Sequence, residues 1–241
     1  MSFSLDALHL GLASVLSGRV CRSGFYVLSL SLAILSLEVC YTVPVAAAPQ
    51  SKLTPTVNWW PAGVFPDNGR HSHQMMSFGG KLWAIGGMNA GESYISTLSS
   101  SHGTVWVVEA PNAPWGDRLG HACVVFQDKM WLLGGTDAGR QVRYNDVWSS
   151  PDGVIWTQEV SAAPWAPRAE MSAVAHDGKI WLMGGNGEVG AVTKALGDFN
   201  DVWSSADGRE WTLETAAAGW QPRSVFGLVS FGTDMVLMGG F

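Results

Sequence analysis

The stretch 145–159, NDVWSSPDGVIWTQE, returns at 200–214 as NDVWSSADGREWTLE, with eleven of fifteen letters unchanged and an offset of 55 residues. Such a duplication within 241 residues makes a repeat the first thing to look for. Double glycines end four apolar runs: KLWAIGG (81–87), KMWLLGG (129–135), KIWLMGG (179–185) and DMVLMGG (234–240), at spacings of 48, 50 and 55. An arginine stands sixteen residues before each first glycine: Arg70, Arg118, Arg168 and Arg223. Tryptophans return as Trp106, Trp156 and Trp211, and nine residues later as Trp115, Trp165 and Trp220.

The unequal spacings have one source. Between each double glycine and the next aromatic (Tyr94, Tyr144, Phe199) lie 6, 8 and 13 residues, and removing them leaves 42 in every unit. A unit held to the residue, with one loop free to lengthen, is expected when repeats pack on their neighbours and a single segment reaches solvent.

Each unit reads as four strands. In the second, HACVVFQ (121–127) is strand a, KMWLLGG (129–135) strand b, NDVWSS (145–150) strand c and VIWTQEV (154–160) strand d. The Asp-Gly pairs at 152–153 and 207–208 predict tight hairpins with positive φ at both central positions. Strand b is apolar on both faces, so it should be covered on both sides. Four-stranded antiparallel units of about 50 residues, each covered by the next, make a β-propeller.

Apolar strand, double glycine, loop, aromatic and two tryptophans at set spacing resemble the kelch repeat over residues 66–241, and the DVWSSxDGxxW units are similar to those of secreted, galactose-oxidase-like kelch proteins. SPDGVIW lacks the residue that the sialidase Asp-box carries between Asp and Gly. The resemblance implies an all-β, kelch-type β-propeller of four-stranded antiparallel blades, with blades at about 66–113, 114–163, 164–218 and a partial fourth at 219–241. Three complete units and strands a and b of a fourth read as a piece of a larger propeller. The alternative is closure of the last blade by TVNWW (56–60), which resembles a lone strand d in the linker 49–65.

Residues 1–48 differ from the rest. Arg19 and Arg22 precede the apolar GFYVLSLSLAILSL (24–37), and VAAA follows at 45–48, the order of a signal peptide. As a helix, the apolar run would reach about 21 Å, short of a hydrocarbon core of about 30 Å. The expectation is therefore a secreted or periplasmic protein, meeting a membrane only if the segment stays uncleaved. Cys21 and Cys40 fall in the leader and leave Cys123 alone. A formal charge of −6 without a run of like charge argues against nucleic acid, which is bound mainly by Lys and Arg neutralising phosphates.

What every unit shares is architecture; what one unit alone has is a candidate for function. The four arginines begin strand a beside the d–a loop, on the face of the variable b–c loops. They either fix the turns of their own blades or form a guanidinium ring for a carboxylate or acidic peptide. Trp115, Trp165 and Trp220 lie in d–a loops and would suit a sugar-stacking shelf. Arg140 and Arg143 are unique to the second b–c loop and Lys194 to the third, where specificity is expected. His71 and His73 stand i, i+2 on a predicted strand, but no third metal ligand is evident. No catalytic motif is present, and neither a cofactor nor a metal is expected. These features imply an exported kelch-repeat binding module for an extracellular protein or a carbohydrate. The alternative is a sugar-active enzyme resembling a sialic-acid mutarotase or, with weaker support, a galactose-oxidase-like oxidase.

Overall fold

A computed structural model of the chain describes residues 15–16, 19–24, 37–41, 65–66, 69–89, 91–189 and 195–241. The chain divides into two units, Met1–Trp60 and Pro61–Phe241. In the first, strands Val15–Leu16, Arg19–Gly24 and Leu37–Tyr41 form a three-stranded antiparallel sheet. Most of the apolar run at 24–37, the VAAA site and TVNWW lie outside the described residues. No helix among the described residues is long and apolar enough to cross a membrane.

The second unit is all-β. Blade I is Gln74–Phe78 (strand a), Lys81–Ile85 (b), Thr97–Ser100 (c) and Val107–Ala110 (d), hydrogen-bonded in that order. Blade II is Ala122–Phe126, Lys129–Thr136, Arg143–Ser150 and Thr157–Val160. Blade III is Ser172–His176, Lys179–Met183, Val202–Ser205 and Thr212–Thr215. Blade IV has strands a and b, Phe226–Phe231 and Asp234–Gly239. All pairings are antiparallel, and the a strands of successive blades neighbour one another. These are the blades of a β-propeller.

Strand b shows why the blades stack. Its side chains alternate between faces, and both faces are buried in blade II. Met130 and Leu132 join Trp83 and Ile85 of blade I, whereas Trp131 and Leu133 join Ile180 and Leu182 of blade III. A third cluster joins Met183 and Val202 of blade III to Phe226 of blade IV. Full burial of one such aliphatic side chain contributes about 2 kcal/mol, and each interface collects several.

The c–d connections differ from expectation. Ser149 pairs with Thr157, so the loop is longer than two residues and strand d begins at Thr157 rather than at Val154. Gly153 has φ 76°, whereas Asp152 is absent from the positive-φ positions. Asp152 instead accepts hydrogen bonds at Oδ1 from the amides of Val154 and Ile155, an Asx-type turn. The glycine serves the neighbouring blade: a Cβ on Gly153 would lie 2.2 Å from the Trp83 ring of blade I, and one on Gly208 2.2 Å from Trp131 of blade II. The two-residue Asp-Gly turn with both φ positive does occur, at Asp177 (45°) and Gly178 (69°), between strands a and b of blade III.

Gly208→Ala and Gly178→Ala separate these roles. Both positions have positive φ, but only Gly208 meets an aromatic ring, whereas a Cβ on Gly178 has nothing within 4 Å. Urea denaturation should show a loss of about 1 kcal/mol for Gly178→Ala and about 3 kcal/mol or more for Gly208→Ala.

Candidate ligand-binding face

The sixteen-residue spacing from arginine to glycine is a hydrogen bond. Nη1 donates to the carbonyl of the first glycine in every blade: Arg70 to Gly86 (2.8 Å), Arg118 to Gly134 (3.1 Å), Arg168 to Gly184 (3.0 Å) and Arg223 to Gly239 (2.7 Å). In blades II and III a carboxylate two residues after the b–c aromatic completes the site. Arg118 grips both oxygens of Asp146 (2.7 and 3.1 Å), and Arg168 both oxygens of Asp201 (2.6 and 2.8 Å). The guanidinium carbon lies over the aromatic ring, 4.2 Å from the Tyr144 centroid and 4.1 Å from that of Phe199. In blade I Ser96 stands in the carboxylate's place, with Nη2 of Arg70 3.1 Å from its hydroxyl.

Of the two roles open to the arginines, this geometry gives Arg118 and Arg168 the structural one. Arg118 and Arg168 are 2% and 1% exposed, and their donors are directed to carbonyls and carboxylates of their own blades. The tryptophans change role as well. Trp115 and Trp165 are buried in the inter-blade clusters, edge-on to Trp156 and Trp211 at 6.1 Å, and Trp220 is half-buried against Phe226. An aromatic shelf for sugars is therefore not built from these residues. His71 and His73 do not share a strand face either, because Ser72 between them has φ 56°, and strand a begins only at Gln74. Among the described residues no cluster of three or more His, Cys, Asp or Glu could hold a metal ion.

The residue two places after each arginine went unnoticed in the sequence. Ser72, Gly120, Glu170 and Val225 all take left-handed φ, at 56°, 57°, 59° and 55°. Their backbones join successive blades: the Glu170 amide donates to the Gly120 carbonyl (2.6 Å), and the Val225 amide to the Glu170 carbonyl (3.0 Å). All four line a cavity of about 410 Å³ to which every blade contributes. Leu119, Met171 and Phe226 supply apolar wall, and His121, Thr136 and Arg140 complete the side formed by blade II.

The b–c loops flank this cavity. Arg140 is exposed, with φ 55°, and its Nη1 lies 3.4 Å from Oε1 of Glu170. Arg143 donates to Oδ1 of Asn186 in the loop of blade III, at 3.0 and 3.3 Å, and Asn186 in turn donates to Oε2 of Glu170. Arg140 and Arg143 are thus brought beside the cavity, whereas Lys194 lies outside the described residues. His121 is fully buried, and desolvation, with the Arg118 charge second, pushes its pKa down to about 3. Its imidazole is neutral at physiological pH.

Four-stranded antiparallel blades in sequential order, interlocked through paired glycines, define a kelch-type propeller. The sequence profile of the KLHDC2/KLHL20/DRC7 Kelch-repeats domain matches residues 56–240, and the chain belongs to the kelch-repeat family. No curated protein matches the chain.

Two outcomes test this framework. Asp146→Ala leaves Arg118 buried without its carboxylate and should cost about 3 to 5 kcal/mol in chemical denaturation. Arg209→Ala, which removes a half-exposed guanidinium from a Glu159 carboxylate that Ser149 and Lys129 still hold, should cost less, about 1 kcal/mol. For His121, the unfolded chain takes up a proton near pH 6.5 that the folded chain refuses until about 3, so stability present above 6.5 is lost as pH falls between those values. The carboxylates held low by their partners, such as Glu109 by Ser99 and Lys81, contribute mainly below about pH 5 and are shared by both proteins in the comparison. Between pH 6 and 5, His121→Met, which copies Met171 at the same position of blade III, should flatten the pH dependence by about 1.4 kcal/mol per pH unit.

Proposed function

We propose that this kelch propeller is a binding module that holds a polypeptide segment on the face formed by the b–c and d–a loops, over the cavity between the blades. The observation that carries the reading is that cavity, about 410 Å³ and lined by all four blades. Its size and its mixture of apolar wall with a few polar groups are those of ligand sites generally. The loops that vary in length between blades rise beside it, on a framework that does not vary. With Trp115 and Trp165 inside the core, a polypeptide suits this face better than a glycan. The sugar-enzyme alternative loses its main support with Arg118 and Arg168 turned inward.

The galactose-oxidase-like kinship and the exported, extracellular setting belong to the same proposal. They rest on the DVWSSxDGxxW units and on the basic, apolar and small-residue order of residues 1–48.

Panning a randomised peptide library against the full chain tests the binding reading. Enriched peptides should lose at least about tenfold in affinity on Ser72→Tyr, which places bulk in the cavity mouth from an exposed position, and should be indifferent to Asp177→Ala at an a–b turn. Enrichment that Ser72→Tyr leaves untouched would remove this face from consideration.

A further inference from the structure

We infer that Glu170 sets the specificity of the cavity mouth by receiving a lysine or arginine side chain of the bound polypeptide; this rests on the binding face proposed above. Ser72, Gly120, Glu170 and Val225 share one backbone geometry, with φ between 55° and 59°, yet present a hydroxyl, no side chain, a carboxylate and an isopropyl group to the same cavity. The fold therefore fixes the backbone here and leaves side-chain chemistry as the variable. Left-handed φ is strained for residues with a Cβ and most of all for a β-branched one, so Val225 and Glu170 sit where glycine would be at ease.

Charge then selects the ligand. The Arg118 and Arg168 guanidinium groups face Asp146 and Asp201, and the buried His121 ring is neutral. The ionic groups of the cavity lining are Glu170 and Arg140. Arg140 approaches Glu170 at only 3.4 Å, and its side chain is 59% exposed, so the pair is loose and open to exchange. The Arg140 guanidinium marks a position that an incoming cation can take. The Asn186 bond holds the carboxylate in place while Val225, half-exposed in the same lining, offers apolar surface. A long side chain with an aliphatic stem and a charged tip matches that combination.

The test uses the full chain and four pools of octapeptides, randomised over uncharged residues around a central Lys, Arg, norleucine or Glu. Binding is read by fluorescence anisotropy, and folding by thermal melts. Wild-type protein should favour the Lys and Arg pools over norleucine by about tenfold or more, and Glu170→Gln, which can still accept from Asn186, should bring that ratio to about one with the melt unchanged. Arg140→Ala should raise affinity for the Lys pool about threefold by removing the competing cation. A Lys preference that survives Glu170→Gln, or Arg140→Ala abolishing binding, would overturn the inference while leaving the binding face intact. Pools held equally by wild type and Ser72→Tyr, or not held at all, would overturn both.

Discussion

The carbonyl of the first glycine in each pair is the point on which the propeller turns. From within the blade, the arginine sixteen residues earlier donates to it. From outside, the backbone carbonyl of the next blade's arginine closes against the glycine so tightly that a Cβ would come within 3.1 Å of Arg118 O at Gly86, 3.0 Å of Arg168 O at Gly134 and 2.8 Å of Arg223 O at Gly184. The second glycine faces the segment leading into its own strand a in the same way, a Cβ coming within 2.9 Å of Leu119 O at Gly135 and 2.7 Å of Ala169 O at Gly185. One arginine therefore ties its own blade with its side chain and locks the preceding blade with its main chain. Inserting a residue between arginine and glycine would break both ties at once. The b–c loop, which lies outside this circuit, alone is free to grow.

That circuit decides what the exposed face can offer. Had the arginines pointed outward, the face would carry a ring of positive charge suited to an acidic partner. Buried salt bridges instead turn Arg118 and Arg168 inward, where a bidentate grip and an aromatic ring beneath the guanidinium leave little room for other roles. The chemistry of the face passes to side chains outside that circuit: one carboxylate on a strained backbone, and a neighbouring arginine on a loop of its own.

The blades, their order, the doubly covered strand b and the location of the length variation were legible because each has a period that side-chain identity preserves. The roles of Arg118 and Trp165 were harder to read, since a recurring residue at a loop edge looks the same whether it turns in or out; only the partner, Asp146 or Trp211, decides. The Asp-Gly pairs misled for a related reason. Glycine was needed at 153 and 208 for contact with a tryptophan of the preceding blade, not for a two-residue hairpin, and that neighbour lies 70 or more positions back in the chain. The left-handed ring left no residue-type signature at all, because Ser, Gly, Glu and Val have nothing in common except the backbone they occupy.

The interlocks are unevenly spread, and this bears on where a site belongs. Blades II and III each have the buried carboxylate on the arginine and a c–d glycine packed on the preceding blade's tryptophan. In blade I serine replaces the carboxylate, although Tyr94 still lies 4.4 Å from the Arg70 guanidinium. In a stacked array stability is close to a sum of unit and nearest-neighbour terms, so the junction of blades II and III should be the last to open. Gly120, Arg140, Asn186 and Glu170 all belong to that junction. A binding residue needs a shell that does not yield, and here the strained carboxylate stands between the two blades that carry the buried salt bridges.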